Sequence, residues 1–557
     1  MGTSVKLPET SWIGVLTASL AVVLAWQVWS RIRQRVLYDL HKIPGPRPLP
    51  LIGNLHQIVG TDTLQKTVLR WTKQYGGIFR EHIGTHPAVL VISDPEEVAR
   101  LSSREENVPK WHTGYRNLRQ RAPHFNILAT PDQDDWKHVR KTTNLAFSPN
   151  TIREGFPVVY HKTLNAAEAL DVLCKHGLVD VNDLAWRFTA ETIMAIAFEE
   201  EMHALKLVPD PSGTPNFVDE PYLQHLKVQL KWMTRQFINP VYHLLLSLLP
   251  WLPTARSERT SCQAVDQADD AIAAKIRAKG RQPESNTTLW ACLSRLVNHK
   301  DSSPMHPQKF AANTGQFFWA GHDTTSNTIT WCLFELAADP ATQAEVREEL
   351  VCAGLAPSGE KPEGRPLQFS DLSKLPVLEA VVKEAMRLHP TAPMGTAREA
   401  VKDMVVGGYR VPKGTVLSMP PYALQLSPHN FTAPDKFWPG RWLKASDNPE
   451  ESDSDYPDAT PMGNRRNIAA SWNAFSMGPR NCSGQPLALM KIKTTLAVLL
   501  SRFSFALPEG VQREKFIAEE EVWWITLQVR HGLKLRVGPV SASCVDAPST
   551  PPQDSVN

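Results

Sequence analysis

Apolar residues run almost without interruption from position 12 to 29, with no charge among them. That length is near the lower limit for crossing a bilayer, and Trp12, Trp26 and Trp29 sit where interfacial aromatics belong. Arg31, Arg33 and Arg35 follow at once, against Lys6 and Glu9 before, a bias that places the following chain on the cytoplasmic side. A cleaved signal peptide is the competing reading, but the charge lies on the wrong flank and no small-residue cleavage site follows. We expect a membrane anchor over residues 1–30 and a basic, proline-rich hinge over 31–50. There Ile43-Pro44-Gly45-Pro46 and the prolines at 48 and 50 cannot continue a helix.

Beyond the hinge the pattern is mostly helical. Residues 63–75 read as a helix, 77–93 as two strands, and 94–101 as a helix with Asp94 as N-cap and Pro95 in its first position. A polar stretch over 104–129 reads as loop, and 132–146 as a helix. Residues 156–249 are mainly helical, with a break at 209–222. A long apolar helix spans 310–338 and is stopped by Pro340. Further helices are expected at 375–389 and 485–505, and strands at 409–411 and 416–419. Trp523, Trp524 and Ile525 fit a late hairpin; residues 444–467 form a polar insertion, and 541–557 a Pro/Ser-rich tail. The fold class is mainly α with a small β-rich side, the body running over 51–540.

With 557 residues, 42% of them hydrophobic, the chain can bury a large core. A net charge of +3 without a long basic run gives no case for nucleic acid. Seven cysteines, at 174, 262, 292, 332, 352, 482 and 544, form no CxxC pair, which suggests a reducing compartment and neither a disulfide framework nor a zinc site.

One cysteine differs in its setting. Phe475-Ser476-Met477-Gly478-Pro479-Arg480-Asn481-Cys482-Ser483-Gly484 reads F-x-x-G-x-R-x-C-x-G, just before an apolar helical pattern at 487–500. Gly478 permits a tight turn, and Gly484 permits close approach of a flat partner. At a helix start, free N–H groups and the positive dipole end favour a thiolate, which can ligate a haem iron. A lone cysteine is more often a small buried hydrophobe. The whole stretch, however, resembles the haem-binding loop of cytochrome P450 enzymes at every fixed position.

Other segments add to that resemblance. Trp136 and Arg140 share a helix face; in the family this W-x-x-x-R meets a haem propionate. Lys137 and Lys141 nearby fit a docking face or a solvated one. Ala320-Gly321-His322-Asp323-Thr324-Thr325 interrupts the long helix with poor helix formers, which suggests a local widening. The alternative is a threonine bonded back to its own helix beside a solvated aspartate. The family's A/G-G-x-D/E-T-T/S implies that Thr324 hydrogen-bonds the bound oxygen and Asp323 relays protons; His322 is given no role. Glu384 and Arg387 match E-x-x-R, with Arg441 in Pro439-Gly440-Arg441-Trp442 as third partner, although Gly440 departs from the usual glutamate. Residues 391–396 match a distal-pocket wall, Arg398 a propionate-binding arginine, and 223–251, for which core packing is the default reading, a substrate lid.

The resemblance covers about residues 43–540 and implies a cytochrome P450 fold behind one transmembrane helix. Trp136, Arg140, Arg398, Phe475, Arg480, Cys482 and Gly484 would bind the haem, Cys482 as metal ligand, with Asp323 and Thr324 catalytic. The implied activity is monooxygenation of a lipophilic small molecule. Electrons would come from NADPH through a separate NADPH-cytochrome P450 reductase, with cytochrome b5 as a second donor, at the endoplasmic reticulum membrane. The motif wording and the polar insertion look most like fungal enzymes of secondary metabolism acting on terpenoids or polyketides. Two alternatives are a haem-thiolate isomerase or dehydratase that needs no reductase, and a haem-binding membrane protein without turnover.

Overall fold

The computed structural model describes scattered positions between 14 and 29, and residues 37–540 except 51, 59–61, 83–87, 104–107, 112–124, 131, 239–247, 250, 358–363 and 444–470. The apolar run 12–29 lies mostly outside the described residues, as do the insertion 444–467 and the tail 541–557. Among the described residues no helix is long and apolar enough to cross a membrane.

Local signals set many of the helix starts. Helix α1 (Leu64–Tyr75) leads into strands β1 (Ile78–Glu81) and β2 (Val89–Ile92). Helix α2 (Pro95–Ser102) opens with Asp94 Oδ1 accepting from the Glu97 N–H at 2.9 Å. Asp132 caps α3 (Gln133–Thr143) in the same way, accepting from the N–H groups of Asp134 and Asp135. Helix α4 (Pro149–Leu173), strand β3 (Val179–Asp180) and helix α5 (Val181–Ile193) follow. The expected break at 209–222 is wider than the residue pattern indicated. It begins at Glu199, which takes a left-handed conformation, and contains a hairpin of β4 (Leu207–Pro209) and β5 (Pro215–Phe217). The Asp210 carboxylate makes that turn by accepting from the N–H groups of Ser212 and Thr214 at 2.8 and 3.0 Å.

Helices α6 (Pro221–Ile238) and α7 (Pro253–Ala278) then lead to α8 (Pro307–Ala338), α9 (Pro340–Cys352) and α10 (Pro376–Leu388). Helix α8 is buried nearly all round, so its apolar pattern shows no single face. It packs on α5, α7, α10 and α11 (Gln485–Arg502). The small β side pairs β1 with β2, β2 in parallel with β9 (Val416–Met419), and β9 with β6 (Thr396–Glu399). Strands β7 (Met404–Val406) and β8 (Tyr409–Val411) form a hairpin. A second sheet orders β10 (Phe503–Ala506), β13 (Lys534–Pro539) and β3, and β11 (Glu521–Trp524) pairs with β12 (Thr526–Val529) as the expected late hairpin.

The E-x-x-R helix forms a closed polar cluster. Both oxygens of Glu384 accept from Arg387, each at 2.9 Å, and Oε1 also accepts from Arg441 Nε at 3.0 Å. Trp442 Nε1 donates to Oε2 at 2.9 Å, and the Trp438 N–H donates to Oε1 at 3.0 Å. Gly440, where the family pattern has glutamate, leaves room for an indole. A Cβ there would stand 2.7 Å from Trp438 Nε1, and the Arg441 guanidinium lies 4.8 Å from the Trp438 ring centre. An aromatic chain, Trp442 to Trp472 at 6.2 Å and Trp472 to Phe475 at 6.0 Å, carries this cluster to the Cys482 loop.

Candidate active site

The Cys482 loop is shaped by one glycine and closed by one backbone bond. Gly478 has φ +70°, and a Cβ there would stand 2.1 Å from the Ser102 carbonyl oxygen at the end of α2. The Cys482 N–H donates to the Phe475 carbonyl at 2.9 Å, and α11 begins three residues later. Gly478→Ala should therefore destabilise the loop by about 1–3 kcal/mol from the backbone alone. We expect a lower thermal midpoint; an unchanged one would contradict this account.

Cys482 is exposed, yet protein surrounds it closely enough that burial raises its pKa. The N–H groups of Gly484 and Gln485, and the charge of Arg140, act in the opposite direction. The expectation that the helix start favours a thiolate holds for those contributions, but burial outweighs them. At Gly484, a Cβ would make only ordinary contacts, with Cys482 Sγ and Phe147 Cε1, both at 3.8 Å.

Helix α3 docks on the loop. Arg140 donates to the Asn481 carbonyl at 2.8 Å and to its Oδ1 at 2.7 Å. The Arg480 guanidinium lies 3.8 Å from the Trp136 ring centre and donates to Gln133 Oε1 at 2.9 Å. Trp136, Arg140, Arg480 and Cys482 are thus brought together. Arg398 is buried on β6, a separate element, and donates to the Val108 carbonyl at 3.0 Å. Lys137 is exposed and lies 3.7 Å from the Asp134 carboxylate, an ordinary surface pair.

Helix α8 approaches from another side. Phe147 touches the Gly484 position and stacks on Phe317 of α8 at 6.3 Å. One turn on, Ala320 is exposed in the middle of this buried helix, and Thr324 is half-buried. The expected widening is not found: the segment is regular α-helix, and the Thr324 hydroxyl donates to the Ala320 carbonyl at 2.7 Å, satisfied within its own helix. Asp323, however, is not solvated. It is fully buried and faces β12, where Thr526 donates to Oδ2 at 2.6 Å and Gln528 to Oδ1 at 3.2 Å. Burial raises its pKa to about 7, opposed by the bonds from Thr526 and Asn327. Asp323 and Thr324 therefore point to different sides of α8.

Sequence reasoning missed several neighbours. His322 is fully buried, shares a hydrogen bond with Thr189 at 2.9 Å and packs edge-on against Trp186 at 4.2 Å. Lys491 of α11 is 1% exposed and donates to the Gly321 carbonyl at 2.9 Å; burial lowers its pKa to about 7. A charge inside the apolar pattern 487–500 was the visible signal for Lys491. Thr526, Gln528 and Asn481 carried none.

These residues fit a haem. Cys482 would supply the soft ligand, Ala320 presents a small side chain on α8, and Arg140 and Arg480 flank the loop with positive charge suited to carboxylates. The comparisons agree. Residues 43–532 match the family model described as Cytochrome P450. The chain is 26% identical to cytochrome P450 3A29 from Sus scrofa over 509 residues, 89% of this chain and 90% of the relative. It is 26% identical to cytochrome P450 3A5 from Homo sapiens over 505 residues, 87% and 90% of the two chains. It is 28% identical to the mitochondrial 25-hydroxyvitamin D-1 alpha hydroxylase from Mus musculus over 500 residues, 86% and 90%. On this match, which spans most of its length, the chain belongs to the cytochrome P450 family of haem-thiolate monooxygenases.

Proposed function

We propose that this protein inserts one oxygen atom from O2 into a lipophilic small molecule, by hydroxylation or epoxidation, with NADPH electrons delivered by a separate reductase. The observation that carries the reading is the Cys482 loop docked on α3 through Arg140 and Arg480 and joined through Phe147 to Phe317 of α8, one turn before Ala320 and two before Thr324. Cys482 would hold a haem, which would supply the activation of O2. Arg140, Arg480, Arg398 and Trp136 would hold its carboxylates by charge-assisted and indole N–H bonds.

The remaining work is proton handling. Thr324 directs its hydrogen to the Ala320 carbonyl and leaves its lone pairs to accept a bond from the open side. Asp323, with a pKa raised to about 7, can both hold and release a proton near neutrality. Because the two side chains diverge, a proton passes between them only through water or a side-chain rotation. With reductase and NADPH, Thr324→Ala should raise the peroxide released per NADPH oxidised, and Asp323→Asn should lower kcat by about a hundredfold. Wild-type coupling in both variants would defeat the proton-delivery reading.

We further propose a single anchoring helix within 1–30, with the body facing the cytoplasm at the endoplasmic reticulum. The exposure of Val22, Trp26 and Trp29 and the arginines that follow support it. Cytochrome b5 is a candidate second electron donor. For the substrate, a terpenoid or polyketide of secondary metabolism is supported by the motif wording and the 444–467 insertion. One relative is itself named a hydroxylase.

A further inference from the structure

Asp323, Asn327, Trp331 and Glu335 stand four residues apart on α8, one above another. Asp323, Asn327 and Trp331 are engaged directly by one hairpin, β11–β12, and Glu335 through His389. Asp323 accepts from Thr526 and Gln528, as described above, and from Asn327 Nδ2 at 3.0 Å. Gln528 Nε2 also donates to Thr526 Oγ1 at 2.9 Å, which leaves the Thr526 hydrogen for Asp323. Asn327 Nδ2 reaches Thr526 Oγ1 at 3.5 Å, and Trp331 Nε1 donates to the Leu527 carbonyl at 3.3 Å. Glu335 bonds His389 at 2.7 Å, and the other ring nitrogen of His389 meets Glu521, the first residue of β11, at 2.9 Å. Tyr422 donates to the second oxygen of Glu521 at 2.8 Å. The hairpin is therefore fixed along successive turns of α8. Thr526 and Gln528, two apart on a strand, face the same side.

We infer that Thr526 and Gln528 are positioning residues for Asp323: the hairpin holds its carboxyl group against β12 and sets how tightly it keeps its proton. This rests on Asp323 taking part in proton delivery, as proposed above. The other elements around this part of α8 leave Asp323 to the hairpin. Helix α5 presents Thr189 to His322, which burial keeps neutral. Helix α11 presents Lys491 to the Gly321 carbonyl, and α7 brings Asp269 against Gly315. Among the described residues no charged side chain pairs with Asp323. Burial favours its neutral form and the Thr526 bond favours the anion. Removing that hydroxyl should tighten the hold on the proton.

Infrared difference spectra of the holoenzyme across pH, wild type against Asp323→Asn, isolate the carboxyl band of Asp323. We expect its midpoint near 7 in wild type. In Thr526→Val it should rise by about one pH unit, a tenfold tighter proton. Gln528→Ala should move it less, in the same direction, and Thr526→Ser, which keeps the hydroxyl, should restore it. The pH profile of peroxide formed per NADPH should move by the same amount, at unchanged haem content. An unmoved midpoint in both Thr526→Val and Gln528→Ala, with haem fully bound, overturns the inference. Normal coupling in Asp323→Asn instead removes the proton-delivery reading, and the infrared midpoint still judges the positioning by itself.

Discussion

Replacing Cys482 with alanine is expected to abolish turnover and to erase the strongly red-shifted Soret band of the reduced, carbon monoxide-bound protein. The effect follows from position: Cys482 is the thiol at the centre of the Gly478–Gly484 loop, its N–H bonded to the Phe475 carbonyl and Arg140 bonded to its neighbour Asn481. The loss should exceed about a thousandfold in rate, at least ~4 kcal/mol of barrier. The fold should survive, because the side chain is exposed and its removal opens no cavity in the core. Circular dichroism and thermal unfolding of the protein freed of haem should match wild type. A wild-type protein that binds haem yet lacks the shifted band would exclude Cys482 as the ligand.

Glu384→Ala should produce the largest loss of stability. Glu384 and Arg387 are fully buried, and Arg441 nearly so. Truncating the acid leaves two guanidiniums without their shared carboxylate, and breaking a buried pair in this way costs about 3–5 kcal/mol. Against a total of about 5–15 kcal/mol for a folded domain, much of the population would unfold or fail to retain haem. The urea midpoint and the haem-to-protein ratio report this, and a loss below about 1 kcal/mol would contradict the account. The pH dependence has a definite sign. Burial pushes the Glu384 pKa up, but Arg387, Arg441 and Trp442 outweigh it, so the folded value lies below the ordinary 4.5. Its stabilisation is complete above that value and is lost as the pH falls through the lowered one.

Elements with local causes were legible from the residues. Asp94 and Asp132 cap the helices they precede, Pro340 ends one long helix and starts the next, and the E-x-x-R spacing placed Glu384 and Arg387 on one turn. Arg441 was found through the family pattern, and Gly440 proved to serve Trp438 packing. Pairings over long separations were not legible. Nothing near Val89 indicates that its parallel partner is Val416. The same holds for the site. Adjacent helical residues diverge in direction, but only tertiary packing reveals that Asp323 meets β12 while Thr324 turns to its own helix. The poor helix formers at 320–325 suggested a widening, but the segment stays regular helix within the buried packing of α8.

The hairpin has a consequence for anyone redesigning this enzyme. Its turn residue, Ile525, has φ +63° and packs beside Trp319 on a small apolar cluster with Ala129 and Met233. The next residue is Thr526. A substitution at the turn would disturb the bond to Asp323 along with the packing of Ile525, so variants at 523–525 should be screened for wasted NADPH as well as for product.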